Sequence, residues 1–140
     1  FEQSDPTAPL AAATLAKAAQ ACGQEAAARQ LLQDFYQQQA SLDVLEAMVT
    51  LGGQSTAETR QPFLQHLQKH ASLLAASRWL AAAPAQEAVP AAVQKALDTA
   101  ARPLARYRCA ACGFEAKEHF WHCPGCQAWD SYPPRRVEEL

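Results

Sequence analysis

Two CxxC hooks near the end of the chain, Cys109-Ala-Ala-Cys112 and Cys123-Pro-Gly-Cys126, are separated by only ten residues, Gly113 to His122. Each hook places two sulfurs on one turn. Four thiolates close the tetrahedral sphere of Zn²⁺ at ~2.3 Å per Zn–S bond. The hooks hold four of the chain's five cysteines, and paired CxxC spacing points to metal ligation in a reducing compartment rather than to disulfides. Gly113 after the first hook, and Pro124 and Gly125 within the second, suit tight knuckle turns. A tail of about 35 residues cannot bury enough surface to fold alone. A structural metal can supply of order 10 kcal/mol towards folding, so the cluster reads as a clamp. Four cysteines leave no open ligand position, and no Ser/His/Asp arrangement, phosphate loop or carboxylate pair stands out, so no catalytic residue is assigned.

Four sulfurs suit iron as well as zinc. Rubredoxins, which carry one redox iron, have similar knuckles but a much longer stretch between them. The ten residues here allow one short hairpin, which favours one structural zinc ion held by Cys109, Cys112, Cys123 and Cys126, with iron as the alternative. His119 and His122 lie near the hooks but are spare. Phe114, Phe120, Trp121, Trp129 and Tyr132 crowd the tail. Most are expected in a mini-core around the metal, with Trp129 and Tyr132 the candidates for an exposed partner contact.

Before the cluster, periodicity predicts six helices. The first runs from about Ala8 to Cys22 with Leu15, Ala18, Ala19 and Cys22 on its apolar face, and Gly23 ends it. Cys22 reads as a buried core thiol. The second spans about Gln24 to Gln39, with Ala28, Leu31, Leu32 and Phe35 inward. Ser41 caps a third, carrying Leu45, Met48 and Val49 and stopped by Gly52-Gly53. The fourth spans about Glu58 to His70, with Pro62 in its first turn and Phe63, Leu64 and Leu67 inward. His66 and His70 read as a solvated face. Ser72 caps a fifth, with Leu73, Ser77 and Leu80. The sixth spans about Gln86 to Ala101, with Pro90 in its first turn and Val89, Val93, Leu97 and Ala100 as its stripe.

The Ala-Ser pairs at 40–41 and 71–72 recur 31 residues apart, each closing one helix and opening the next. Two helices per period of this length is the pattern of a helical solenoid. An ordinary helical bundle is the alternative. The predicted fold is therefore mainly α: a tetratricopeptide-like helical solenoid of three helix pairs over 1–105, followed by a small rubredoxin-like zinc ribbon over 106–140. Only residues 102–106 join the two, with no Gly/Ser linker, so the ribbon should dock on the last helical pair.

The net charge is -2, and the tail itself is balanced, which gives no reason to expect nucleic acid. No apolar run approaches the ~20 residues needed to span a bilayer. The chain opens without methionine and reads as a fragment, with room for an anchor upstream.

"YRCAACGF" and "WHCPGCQAWDSYPPRR" after degenerate tetratricopeptide helices closely resemble the C-terminus of the lipopolysaccharide assembly protein B family. The specific match covers about 30 residues. The resemblance implies a non-enzymatic adaptor anchored in the bacterial inner membrane and facing the cytoplasm. Such an adaptor regulates lipopolysaccharide biosynthesis by helping the protease FtsH degrade the lipid A deacetylase. Its implied partners are FtsH, that deacetylase and lipopolysaccharide assembly proteins. The four cysteines match the family's metal ligands. Trp129, Tyr132, Arg135 and Arg136 are the residues expected to face a partner. A rubredoxin-type iron electron carrier fused to a helical domain is the alternative function.

Overall fold

The computed structural model describes residues 6–52 and 56–140, with the backbone alone for 56–58. Helices α1 (Ala8–Cys22), α2 (Glu25–Gln38), α3 (Leu42–Leu51), α4 (Thr56–Leu67), α5 (Leu73–Ala81) and α6 (Ala91–Ala101) precede strands β1 (Tyr107–Arg108) and β2 (Glu115–Ala116). The chain is mainly α and ends in a small two-stranded, four-cysteine unit, as expected. α1 packs on α2 and α3, α2 on α3, α4 on α5, and α5 on α6.

α3 is central because it is apolar on most sides. Val44, Ala47 and Leu51 join the α1–α2 cluster, which is built on Leu32 and Phe35. Leu42 and Leu45 join Phe63, Leu74, Ala75 and Ala101 in a second cluster. One helix thereby makes the two cores continuous. α1 meets it through a row of alanines, Ala8, Ala12, Ala16 and Ala19, all buried. Alanine costs little side-chain entropy in a helix, and its small size lets α3 come close. Ala19 belongs to the expected face, but Ala18 and Cys22 are exposed. The burial expected for Cys22 is thus incorrect. Scoring cysteine and leucine above alanine rotated the predicted stripe away from the face that packs.

Gly23 ends α1 at φ 69°, in the left-handed region where a Cβ is disfavoured. Gly53 lies outside the described residues. α4 begins at Thr56, so Pro62 stands inside the helix rather than in its first turn. α6 begins at Ala91, later than predicted. A 3₁₀ turn at Ala85–Glu87 precedes it, and Pro90 is its N-cap. Proline pushes the residue before it out of the helical region, so Val89 could not be helical there. The side of α6 that meets α5 is polar as well as apolar: Ser77 Oγ donates to Asp98 Oδ1 (2.6 Å) and Gln94 Nε2 reaches the same oxygen (2.8 Å). Val93 and Ala100 of the predicted stripe are exposed.

His66 is also misplaced by the sequence reading. It is buried, and its Nδ1 accepts from Tyr36 Oη at 2.5 Å. Its ring lies 5.0 Å from that of His70. Burial and then His70 hold His66 below its ordinary value, and burial pushes Tyr36 up to about 12. A neutral imidazole accepting from a protonated phenol is the result.

Candidate metal centre

β1 and β2 pair antiparallel, with Tyr107 opposite Ala116 and Arg108 opposite Glu115. This short hairpin carries the first hook at its turn. The second hook lies inside the His122–Trp129 bridge. The two knuckles have the same hydrogen bonds. Cys109 N donates to Phe114 O (2.9 Å) and Gly113 N to Cys109 O (2.9 Å). Cys123 N donates to Ala128 O (2.9 Å) and Gln127 N to Cys123 O (2.8 Å). Gly113 turns at φ 76°, as glycine readily does, but its counterpart is Gln127 at φ 61°, not Gly125. Gly125 serves a different purpose: a Cβ there would meet Phe114 Cβ at 3.3 Å.

The four sulfurs lie within 4.8 Å of one another. Cys109 Sγ is 3.8 Å from Cys126 Sγ, and Cys112 Sγ is 3.7 Å from Cys123 Sγ. A tetrahedron with ~2.3 Å bonds has edges of roughly 3.8 Å, so the cluster fits one four-thiolate ion. Cys109 and Cys123 are buried; Cys112 and Cys126 are exposed. Ser131 Oγ lies 3.2 Å from Cys109 Sγ, and its hydrogen bond pulls the Cys109 thiol down to about 6 against the opposing effect of burial. Such outer partners orient ligands and tune the metal. Nothing in the spacing of the hooks singled out Ser131 or Gln127.

Of the residues expected to face a partner, Trp129 is 70% exposed and stacks on His122 at 4.6 Å. Arg135 is exposed as well. Tyr132 and Arg136 are not free surface. Tyr132 is buried, with its hydroxyl donating to Phe114 O at 3.2 Å beside Cys123 Sγ at 3.9 Å. His119 packs edge-on against Tyr107, Trp121 and Tyr132 and bonds Tyr132 O at 3.0 Å. The mini-core beside the sulfurs takes both residues.

Arg136 forms the seam. Its Nε and Nη2 reach Asp43 Oδ1 (3.0 and 2.5 Å), and Nη2 also reaches Glu46 Oε2 (3.2 Å). Tyr107 Oη donates to Asp43 Oδ2 at 2.7 Å. Burial alone would lower the Arg136 value, but Asp43 and Glu46 outweigh it and keep the guanidinium charged. Burial, reinforced by Asp43, holds the Tyr107 phenol protonated. The expected docking on the last helical pair is met at the start of α5, where the Glu138 carboxylate bonds Ser72 Oγ and Leu73 N, but it is not the whole seam. The ribbon meets the start of α3 through Asp43 and α1 through Leu10. The chain returns because Val137 N bonds Arg106 O and Glu138 N bonds Leu104 O, closing the ribbon's base over the helices.

Residues 107–134 match a family model described as the rubredoxin metal binding domain. The likeness to that family is confined to this segment. Over 35 residues the chain is 51% identical to lipopolysaccharide assembly protein B of Escherichia coli strain K12, and equally to those of strains CFT073 and O157:H7. That match spans 25% of this chain and 9% of each E. coli protein. The rubredoxin-like unit thus carries the likeness, while the six helices stand on the fold alone. Among the described residues, no helix is long and apolar enough to cross a membrane.

Proposed function

We propose that the chain acts in a non-enzymatic adaptor that regulates lipopolysaccharide biosynthesis, with its metal as a structural clamp. In this reading it sits at the cytoplasmic face of the inner membrane, held by an anchor upstream. It presents the lipid A deacetylase to FtsH. The observation that carries the reading is the closed four-sulfur sphere locked to α3 through Asp43, Arg136 and Tyr107. A saturated sphere has no position for substrate, and its rigid attachment holds the ribbon's exposed face in fixed register with the helices. Zinc is the proposed ion. Trp129, with Trp121 at 53% exposure, supplies the apolar contact for a protein partner.

The exposed positions of Cys112 and Cys126 favour a second reading, an iron electron carrier, because electron transfer needs a ligand edge at the surface. Reconstituting the full-length protein with each metal separates the two. Equal support of FtsH-dependent deacetylase turnover by zinc and iron forms is the clamp result. Activity with iron alone would overturn it, since Zn²⁺ has no accessible redox change.

A further inference from the structure

A cleft of about 320 Å³ lies where α5, α6 and the ribbon meet. Five cationic side chains line it: Arg78, Arg102, Arg106, Lys117 and Arg136. The carboxylate among its lining residues is Asp98, which is engaged by Ser77 and Gln94. Arg136 is committed to Asp43 and Glu46, and Arg78 to Glu46. Arg102, Arg106 and Lys117 have no ion pair among the described residues. Arg106 Nε is moreover buried without a hydrogen-bond partner. A buried guanidinium N–H left unsatisfied is costly, and native proteins rarely leave one so. Asp98 feels the charge of Arg102 and Arg78, but one carboxylate does not balance the cleft, and in a chain of net charge -2 three cations without an ion pair run against the overall balance.

We infer that this cleft binds a phosphorylated small molecule. Arg102 comes from the end of α6, Arg106 from the segment leading into β1, and Lys117 from just past β2. They surround the cleft from different elements rather than forming a flat surface row. Guanidinium forks match the oxygens of phosphate, and an ammonium adds a point charge. A phosphate dianion or diphosphate balances the three cations better than a single carboxylate would. Leu74, Ala101 and Ala105 also line the cleft and give an apolar floor for the carbon part of the ligand. The phosphate is that of a free metabolite or of a lipid headgroup. Because its cations come from both the helices and the ribbon, the ligand bridges them.

Calorimetric titration of the zinc-loaded full chain with inorganic pyrophosphate tests the site. One saturable site per chain is expected. Arg102→Gln and Lys117→Gln, both at exposed positions that leave the core intact, should each weaken binding about tenfold, the loss of one charge-assisted contact. Lys95→Gln, an exposed cation on α6 outside the cleft, should leave binding unchanged. Two further arms use dihexanoyl phosphatidic acid and dihexanoyl phosphatidylcholine. Tighter binding of the phosphatidic acid than of pyrophosphate, without binding of the choline lipid, assigns the site to a lipid headgroup. Equal or weaker binding assigns it to a free phosphate. The inference is overturned if pyrophosphate shows no saturable binding, or if Lys95→Gln weakens it as much as Arg102→Gln does.

Discussion

Glu139 Oε1 lies 2.8 Å from the backbone nitrogen of Leu42, 97 residues earlier, and so caps the first turn of α3. Its neighbour Glu138 does the same for α5, accepting from Leu73 N (2.5 Å), Leu74 N (3.2 Å) and Ser72 Oγ (2.8 Å). Two consecutive carboxylates at the chain's end therefore read the two Ala-Ser junctions of the helical repeat. Helix N-termini hold unpaired N–H groups and a partial positive charge, which carboxylates satisfy.

Glu138→Ala and Glu139→Ala should each destabilise the chain by about 1 kcal/mol, the usual worth of a helix cap. Glu138→Ala should speed hydrogen exchange at Leu73 and Leu74, and Glu139→Ala at Leu42. Unchanged exchange at these amides would show that the caps are not formed in solution.

Asp43 holds the seam, taking the Arg136 guanidinium and the Tyr107 hydroxyl together. Asp43→Ala leaves a largely buried arginine without its main partner and should cost about 3 kcal/mol in urea unfolding. A loss below about 0.5 kcal/mol, typical of an exposed pair, would contradict this description.

Cys112→Ser or Cys123→Ser should abolish metal binding and disorder the ribbon, with Trp121 and Trp129 reporting the change by fluorescence. The far-UV helical signal should largely persist, because the two helical cores do not include the sulfurs. Retention of a full metal equivalent by either variant would overturn the ligand assignment.

The two knuckles predict opposite outcomes for glycine. Gln127→Gly relieves a left-handed residue and should stabilise the metal-loaded chain by about 0.5–1 kcal/mol. Gly125→Ala crowds Phe114 and should destabilise it by about 1–3 kcal/mol. Thermal unfolding of the two variants checks both signs.

His66 makes stability depend on pH. Its folded value lies below the unfolded one near 6.5, so the unfolded chain binds more protons in that range. Its contribution is complete above about pH 6.5 and is lost as the pH falls through the folded value. The urea midpoint should therefore drop on acidification by more in the native chain than in His66→Gln. Equal drops would place the acid sensitivity elsewhere.

The sequence by itself determined the elements whose signals are local. The CxxC spacing limited the tail to a short hairpin around one ion. Alanine-rich periodicity placed six helices, and Gly23 and Ser72 marked a stop and a cap that the structure retains. Local signals do not report which long-range partner wins. Ser41 has the residue type of a cap, yet its hydroxyl is buried without a partner and Glu139 bonds the helix instead. A carboxylate from the closed ribbon is both charged and held in place, so it displaces the local hydroxyl. Tyr132, Arg136 and His66 look like surface residues in sequence because polarity is visible there and burial is not. Only the tertiary structure supplied the partners, Phe114 O, Asp43 and Tyr36, that make their burial tolerable.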